Sequence, residues 1–289
     1  MNGVEEYRNT RAGRALKPAW EPYEVAKLFR YAALASFKND EDRLEWARQV
    51  ILDSRIYFPS PATFNDPFDC RVVLRNEVSF EDWLGYFRSS LARFLPGVGS
   101  EEIEARARQA AHNSCQPEVF ARVVASLQAD VNGCGVLCLS EDPDDILMWS
   151  HYSAGHTGVC FEFEHLNEPF FGRCQKVNYS DKMPQVSALR SPAQEQIEAF
   201  ILTKPIDWEY EKEWRAIEFE KGSGLYEFDS RLLTGLIFGA RISLDHRRRL
   251  LEWAERRSPR LSVRQAELVE DEYSIRLVEI ADSPQGSGD

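Results

Sequence analysis

The sequence predicts an α+β fold in which a central, mostly antiparallel β-sheet carries a helical insert. Two short apolar runs, Gly135–Leu139 and Gly158–Phe163, are bounded by Gly and by Asp/Pro clusters, as buried strands are. Two longer segments, Glu81–Leu95 and Glu101–Leu127, have a helical composition and are separated by Pro96 and Gly97. Further strands are expected before these helices, and strands that precede and follow a block of helices indicate the α+β class.

The composition limits the number of domains and the kinds of partner that the protein can bind. The 289 residues with 43% apolar content suffice for one large domain or two small ones. The net charge of 35 − 47 = −12 repels a phosphate backbone, so non-specific nucleic-acid binding would need a local basic patch. The clearest basic run, Asp245–Arg249, is expected on the solvated face of a C-terminal helix.

Cysteine usage and the lack of apolar segments predict a cytoplasmic protein. The six cysteines lack CxxC spacing and paired histidines, so we expect free thiols and no metal; they are Cys70, Cys115, Cys134, Cys138, Cys160 and Cys174. The first twenty residues contain no apolar core of a signal peptide, and no apolar run reaches the roughly 18 residues that a membrane span needs.

The first elements follow the order strand, helix, strand and loop. We expect a polar arm over residues 1–22, a strand at Leu28–Tyr31, a helix over Leu34–Leu52 from its apolar spacing, and a strand at Arg55–Phe58. The loop that follows, SPATFNDPFD, is stiffened by prolines, and Asn65 and Asp66 favour a turn in which side chains bond local amides. A structural turn and a ligand-binding loop are equally open for it.

After the central stretch the elements alternate again. We expect a brief strand at Lys176–Tyr179, a helix at Ser191–Lys204, a buried strand at Gly235–Gly239, a helix at Leu244–Arg257 and closing strands at Leu261–Leu268 and Tyr273–Ile280. Ser243 is the expected N-cap of the last helix. We therefore expect one α+β domain over residues 23–280, with a helical insert at about 80–130 and a disordered tail over 281–289.

Two stretches hold the candidate site. The connection between the central strands carries Trp149, His151, Tyr152 and His156, and loops on a rigid sheet are where sites concentrate. Interpreted as a strand, Ile206–Phe219 places four charged side chains on one face, namely Glu209, Glu211, Glu213 and Arg215. These charges either form a solvated sheet face with a cross-strand ion pair, or direct Glu213, held by Arg215, into a cleft.

Taken together, the motifs resemble the bacterial family called Domain of Unknown Function 2971. The motifs that carry the resemblance are FNDPFD, MWSHY, GVCFEF and the E-x-E-W-R of Glu211–Arg215, and the likeness runs from about Leu28 to Ile280. The family name implies no activity. Its members look like components of mobile or anti-phage gene neighbourhoods, so the resemblance implies a partner protein from the same operon.

A second resemblance, to NAD-dependent ADP-ribosyltransferases, implies chemistry. An early Arg30 or Tyr31 on a first strand, and a strand that ends in Ser60, look like the opening of that fold, and Glu211-Lys212-Glu213 has the form of its late E-x-E. The resemblance implies split, curved sheets and NAD as the nucleotide-type ligand. Glu213 and Glu211 would be catalytic, and the residues implied to bind NAD are Arg30, Tyr31, Ser60, Asn65, Asp66, Trp149, His151, Tyr152 and Arg215.

Cleavage of NAD requires the residue types that this resemblance implies. Cleavage of the nicotinamide–ribose bond builds positive charge on the sugar, which a carboxylate such as Glu213 stabilises. Arg30 would grip the pyrophosphate with its planar fork of donors, and Tyr152 or Trp149 would stack on the nicotinamide. The wall beside the nicotinamide could be Ser60 or Tyr152.

Two other functions stay open. A metal-dependent nuclease would use paired carboxylates as Mg²⁺ ligands, namely Asp66, Asp69, Glu211 and Glu213. A non-catalytic sensor or interaction module would bind a nucleotide without turnover.

Overall fold

The computed structural model describes residues 27–34, 40–71, 73–75, 78–164, 174–187 and 193–280. These residues divide into two compact units, each described here by itself. The helical unit comprises Ser60–Cys134 and Asn178–Ile206, and the sheet unit comprises the described parts of 17–59, Gly135–Val177 and residues 207–280. The predicted arm and tail lie outside the described residues, and the predicted domain boundaries stay predictions.

The helices and strands are numbered in chain order. The helices are α1 Asp40–Leu52, α2 Phe80–Phe94, α3 Ser100–Ser114, α4 Pro117–Gly133, α5 Ile146–Tyr152, α6 Ala193–Ile201 and α7 Leu244–Arg256. The strands are β1 Lys27–Ala32, β2 Arg55–Phe58, β3 Val73–Arg75, β4 Gly135–Ser140, β5 Val159–Glu164, β6 Gln175–Lys176, β7 Asn178–Ser180, β8 Gln185–Ser187, β9 Thr203–Pro205, β10 Glu213–Glu218, β11 Gly224–Glu227, β12 Leu233–Phe238, β13 Ser262–Leu268 and β14 Ile275–Glu279. Short 3₁₀ helices span Pro61–Thr63, Ile206–Glu211 and Ser230–Leu232.

The sheet unit is built on an eight-stranded sheet in the order β14-β13-β12-β5-β1-β4-β10-β6. Neighbouring strands are antiparallel except for β12 and β13, which are parallel and are joined through α7. Strands β2 and β11 form a separate antiparallel pair. The predicted α+β class and the mostly antiparallel sheet are confirmed.

The large sheet is weakly joined at its centre. Strand β1 pairs with β5 from Lys27 to Ala32, and β4 pairs with β10 along its whole length. In contrast, the register of β1 with β4 consists of one position, Phe29 opposite Ser140. We call this junction the seam. Five strands lie on one side of the seam and three on the other, within one continuous sheet, and the expectation of two split sheets stays a prediction.

Both faces of the sheet are covered by apolar contacts. Alternate residues of β1 point to opposite faces, so Leu28 and Phe29 belong to different core clusters. The first cluster packs against α1 and includes Leu28, Leu139, Phe161 and Trp214, and the second packs against α5 and includes Phe29, Tyr31, Cys160 and Trp149. Because the sheet is buried on both faces, polar groups within it must find partners there.

The helical unit contains α2, α3, α4 and α6 with two short parallel strand pairs, β3 with β8 and β7 with β9. Ser79 and Asp82 form a reciprocal capping box that starts α2. The prediction of one helix over Glu101–Leu127 is wrong, because α3 ends at Ser114 and α4 begins at Pro117. Proline has no N–H to donate, so it starts a helix readily and interrupts one in its interior.

Predictions for three further segments are also corrected. The strand predicted over Ile206–Phe219 begins at Glu213, since Ile206–Glu211 forms a 3₁₀ helix and Lys212 has φ +44°. The polar connection that carries Trp149 and Tyr152 contains the helix α5, which Asp145 caps by accepting a 2.8 Å hydrogen bond from the Met148 N–H. The strand predicted at Lys176–Tyr179 is two strands, β6 and β7, in different sheets.

Several local predictions are confirmed. Ser243 caps α7 by accepting a hydrogen bond from the His246 N–H at 3.2 Å. The basic run of α7 lies on its exposed face, where Arg248 and Arg249 pair with Asp245. None of the described helices combines the length and the apolar character that crossing a bilayer would require.

Candidate functional site

A buried ion pair opens β10. Glu213 and Arg215 lie two positions apart and therefore on one face of the strand. The guanidinium donates two hydrogen bonds to the carboxylate, from Nε to Oε1 at 2.8 Å and from Nη2 to Oε2 at 2.9 Å. Glu213 is 3% exposed and Arg215 is 0% exposed. The alternative of a solvated face is thus excluded for these two side chains.

The second carboxylate of the E-x-E is bonded to the central stretch. Glu211, which is 3% exposed, accepts a 2.6 Å hydrogen bond from the Tyr152 hydroxyl. Its backbone carbonyl accepts a further hydrogen bond from Ser140 Oγ at 2.6 Å. The two sequence stretches that were singled out as candidate sites therefore meet at Glu211.

The turn between the carboxylates is fastened to the end of β4. Lys212 adopts a left-handed backbone conformation, which is unfavourable for a residue with a side chain. Its carbonyl accepts a 3.1 Å hydrogen bond from the Glu141 N–H, and its ammonium group lies 2.8 Å from Asp142 Oδ2. These bonds hold the turn so that both Glu211 and Glu213 face into the protein.

The two carboxylates beside this turn, Asp142 and Asp144, have pKa values that shift in opposite directions. A hydrogen bond with Asp142, together with burial, raises the pKa of Asp144 to about 6. Burial alone would raise the pKa of Asp142 as well, but hydrogen bonds with Asp144 and Lys212 lower it instead. Asp142 is therefore the carboxylate that neutralises Lys212, and Asp144 is the acid of the pair.

Arg30 reaches the same strand β4 from the other face of the sheet, because its neighbour Phe29 lies opposite Ser140, and Ser140 lies opposite Glu213. Arg30 Nη1 donates a 2.8 Å hydrogen bond to the carbonyl of Cys138, and Cys138 lies opposite Arg215 in the β4–β10 register. Burial, and then the Glu213 carboxylate, raise the pKa of the half-buried Cys138 thiol, while Arg215 and Arg30 act in the opposite direction. The charges of Arg30, Glu213 and Arg215 therefore all act on the pKa of the Cys138 thiol.

A family model matches this part of the chain. Residues 148–216 match the model described as "Protein of unknown function (DUF2971)". The resemblance to that family is confirmed over residues 148–216, and the likeness expected from about Leu28 to Ile280 stays a prediction outside them. The DUF2971 segment, as we call residues 148–216, begins in α5 before Tyr152 and ends in β10 after Arg215. No curated protein and no solved structure matches the chain, and the ADP-ribosyltransferase resemblance stays a prediction.

Two aromatic residues of the predicted site are buried in the core. The indole of Trp149 is fully buried in the DUF2971 segment, where it donates a 2.9 Å hydrogen bond to the Pro143 carbonyl. The ring of Tyr31 packs edge-on against it at 5.1 Å, and its hydroxyl donates to the Asp142 carbonyl at 2.7 Å. Neither ring has an open face for stacking, so Tyr152, which is half-buried, is the aromatic that fits a ligand.

His151 lies on the exposed side of α5. Its ring makes edge contacts with Tyr152 and Trp208, each with ring centroids 6.4 Å apart. His156, also in the DUF2971 segment, is 3.2 Å from Ser150 Oγ, and burial together with Arg241 lowers its pKa. The two histidines therefore have different surroundings.

The remaining predicted residues belong to the helical unit. Ser60 caps the 3₁₀ helix Pro61–Thr63 and donates a 2.5 Å hydrogen bond to the Asn132 carbonyl. Asp66 Oδ1 accepts a 2.9 Å hydrogen bond from the Phe68 N–H, which confirms the predicted turn, and Asn65 is exposed. Asp69 of the same loop lies 3.7 Å from the buried Lys204 ammonium. This loop has the bonding of a structural turn.

Sequence reasoning missed three residues of the site. Ser140, Cys138 and Lys212 join the candidate side chains, yet a serine at a strand end and a cysteine within a strand are common in cores. Within the part of the chain that the structure describes, no three His, Cys, Asp or Glu side chains are grouped as metal ligands.

Proposed function

We propose that the sheet unit binds NAD at the seam and cleaves its nicotinamide–ribose bond, as an ADP-ribosyltransferase or an NAD glycohydrolase. One observation carries this proposal. Four residues from three separate parts of the sequence meet strand β4. Arg30 bonds the Cys138 carbonyl from one face of the sheet, and on the other face Tyr152 bonds Glu211, which Ser140 joins to the position of Glu213. A cation, an aromatic hydroxyl and two carboxylates are the groups that the predicted chemistry needs.

Arg30 fits the role of an anion-binding residue. Its Nε is buried and has no hydrogen-bond partner among the described residues, although its Nη1 is bonded to Cys138. A buried N–H without an acceptor is costly, and a phosphate oxygen would satisfy it. The half-buried guanidinium at the seam therefore supports a ligand that brings negative charge.

The two carboxylates differ in what they can do. Arg215 holds Glu213 as a fixed negative charge through two hydrogen bonds, whereas Glu211 accepts a hydrogen bond from the hydroxyl of the partly exposed Tyr152. Bound NAD would supply a glycosidic bond whose cleavage places positive charge on the ribose, which carboxylates stabilise. In this proposal the Glu213 carboxylate provides the negative charge that stabilises the ribose cation. Glu211 and Tyr152 together orient the nicotinamide riboside end of NAD.

A second candidate function rests on the burial of these carboxylates. Both are only 3% exposed and both are hydrogen-bonded within the protein. This burial favours a nucleotide sensor that binds without turnover. The resemblance to defence-associated families would then place the protein as a toxin, effector or sensor of bacterial anti-phage defence, working with a partner from its operon.

The test is nicotinamide release from NAD by purified protein, alone and with the neighbouring operon proteins. We expect wild-type turnover to be lost in Glu213→Gln and in Glu211→Gln. Glu45→Gln, which removes an exposed carboxylate of α1, is the matched control and should retain it. Thermal unfolding of each variant separates loss of the site from loss of the fold.

The outcomes distinguish the two candidates. NAD that raises the melting temperature without releasing nicotinamide would support the sensor. If the wild type neither binds nor consumes NAD, with or without its partners, both are refuted.

A further inference from the structure

A groove on the sheet unit, distant in sequence from the seam residues, has no assigned role. It encloses about 360 Å³ and is lined by the loop after β12, the first turn of α7 and the end of β13. The apolar part of the lining includes Ile242, Leu244 and Leu268. Leu244 is 82% exposed and Leu268 is 63% exposed. Two large apolar side chains with this exposure lie at one groove, where a partner would cover both.

The groove also carries one cation and one anion. Arg247 and Glu267 both line it. Arg247 makes no side-chain ion pair with any described residue, and Glu267 is engaged by Arg276 through Oε2 at 3.3 Å, which leaves Oε1 available. The lining therefore offers an apolar pair and a charge of each sign.

The groove lies near an open edge of the sheet. Strand β13, whose end lines the groove, is followed by β14, the outermost strand, and no described strand pairs with the outer side of β14. The turn that joins them exposes Tyr273 fully. Open sheet edges with exposed apolar residues are where a second chain can add.

We infer that this groove is a two-fold symmetric interface between two copies of the chain. In such an interface each residue meets a different residue of the same patch on the other copy, so Arg247 of one copy faces Glu267 of the other. Leu244 and Leu268 then cover each other across the axis. A partner with only acidic side chains would satisfy Arg247 and would repel Glu267, whereas a second copy satisfies both.

The net charge restricts where two copies can meet. With a net charge of −12, two copies repel each other over most of their surfaces. Association therefore requires a place where a cation of one copy meets an anion of the other, and the groove provides two such pairs related by symmetry.

The experiment is sedimentation velocity over a range of concentrations of the full chain. We expect a concentration-dependent dimer for the wild type and a monomer for Leu268→Glu. Phe94→Glu, a change at a 76% exposed residue of the helical unit, is the matched control and should leave the dimer intact. All the substituted side chains are exposed or line the groove, so circular dichroism should be unchanged.

A charge exchange tests the symmetry itself. Arg247→Glu and Glu267→Arg should each weaken the dimer at least tenfold, and the double variant should recover most of the loss. A wild type that stays monomeric, a Leu268→Glu variant that still dimerises, or a double variant no better than the single variants would each overturn the inference. A monomer that binds an acidic peptide at the groove would also overturn it, in favour of a different partner.

Discussion

The buried pair of Glu213 and Arg215 makes a strong prediction about stability. Arg215→Met leaves a 3% exposed carboxylate that has lost both hydrogen bonds from its guanidinium. Removing one member of a buried pair costs about 3–5 kcal/mol, because the other charge stays in a medium of low dielectric constant. For a chain of this size we expect a melting temperature lower by on the order of 10 °C.

A double variant separates the interaction energy of the Glu213–Arg215 pair from the cost of burying each charge alone. When Glu213→Gln and Arg215→Met are combined, no charge of the pair is left, so the loss should be smaller than the sum by about 1–3 kcal/mol. An exposed pair provides the control. Arg48 lies 2.8 Å from Glu45 on α1, and Arg48→Met should cost less than about 1 kcal/mol.

Urea unfolding followed by tryptophan fluorescence measures these differences, and Trp214 lies between the two residues of the pair. A loss for Arg215→Met no larger than that for Arg48→Met would refute the reasoning, as would strictly additive losses in the double variant. The expected loss of stability also affects the activity test. An inactive Glu213→Gln variant is informative only if it is still folded at the assay temperature.

Three further predictions follow from single contacts. Because the Glu213 carboxylate raises the pKa of Cys138, Glu213→Gln should lower that pKa and speed alkylation of the thiol by iodoacetamide, measured by mass spectrometry. The pKa of Asp144 is raised from its ordinary 3.8 to about 6, so its contribution to stability is complete below about pH 4 and is lost as pH rises through 6. Urea unfolding across this range should show that Asp144→Asn removes this loss. Gly158→Ala would place a Cβ 2.1 Å from a carbonyl oxygen of β1 and should cost about 3 kcal/mol in urea unfolding, whereas Gly133→Ala, with nothing within 4 Å, should not.

Elements defined by local signals were predictable from the sequence. The strand β2 was expected at its observed bounds because Pro59 and the following loop end it, and Ser243 was expected to cap α7 because a serine oxygen there accepts a helix N–H. In both cases the deciding interactions lie within a few residues of the element.

Elements defined by distant contacts were not predictable. The aromatic and charged residues of Ile206–Glu211 alternate as in a strand, yet the segment is a 3₁₀ helix whose carbonyl at Glu211 is bonded to Ser140 of another strand. The left-handed conformation of Lys212 likewise depends on Asp142 and Glu141. Such tertiary contacts override local pattern and leave no periodic signal.

The burial of Trp149 also depends on distant contacts and was not predictable from the sequence. In the sequence its position among polar residues resembles that of a site aromatic, but its helix turns it into the core beside Tyr31. The pairing of Tyr152 with Glu211, in contrast, joins two motifs that the sequence had already singled out.

Amide hydrogen exchange of the wild type with and without NAD tests the central claim most directly. Binding at the seam predicts slower exchange in β1, in β4 and over residues 206–218, and loss of this protection in Arg30→Gln. Exchange unchanged at saturating NAD, or protection confined to other parts of the chain, would contradict the account.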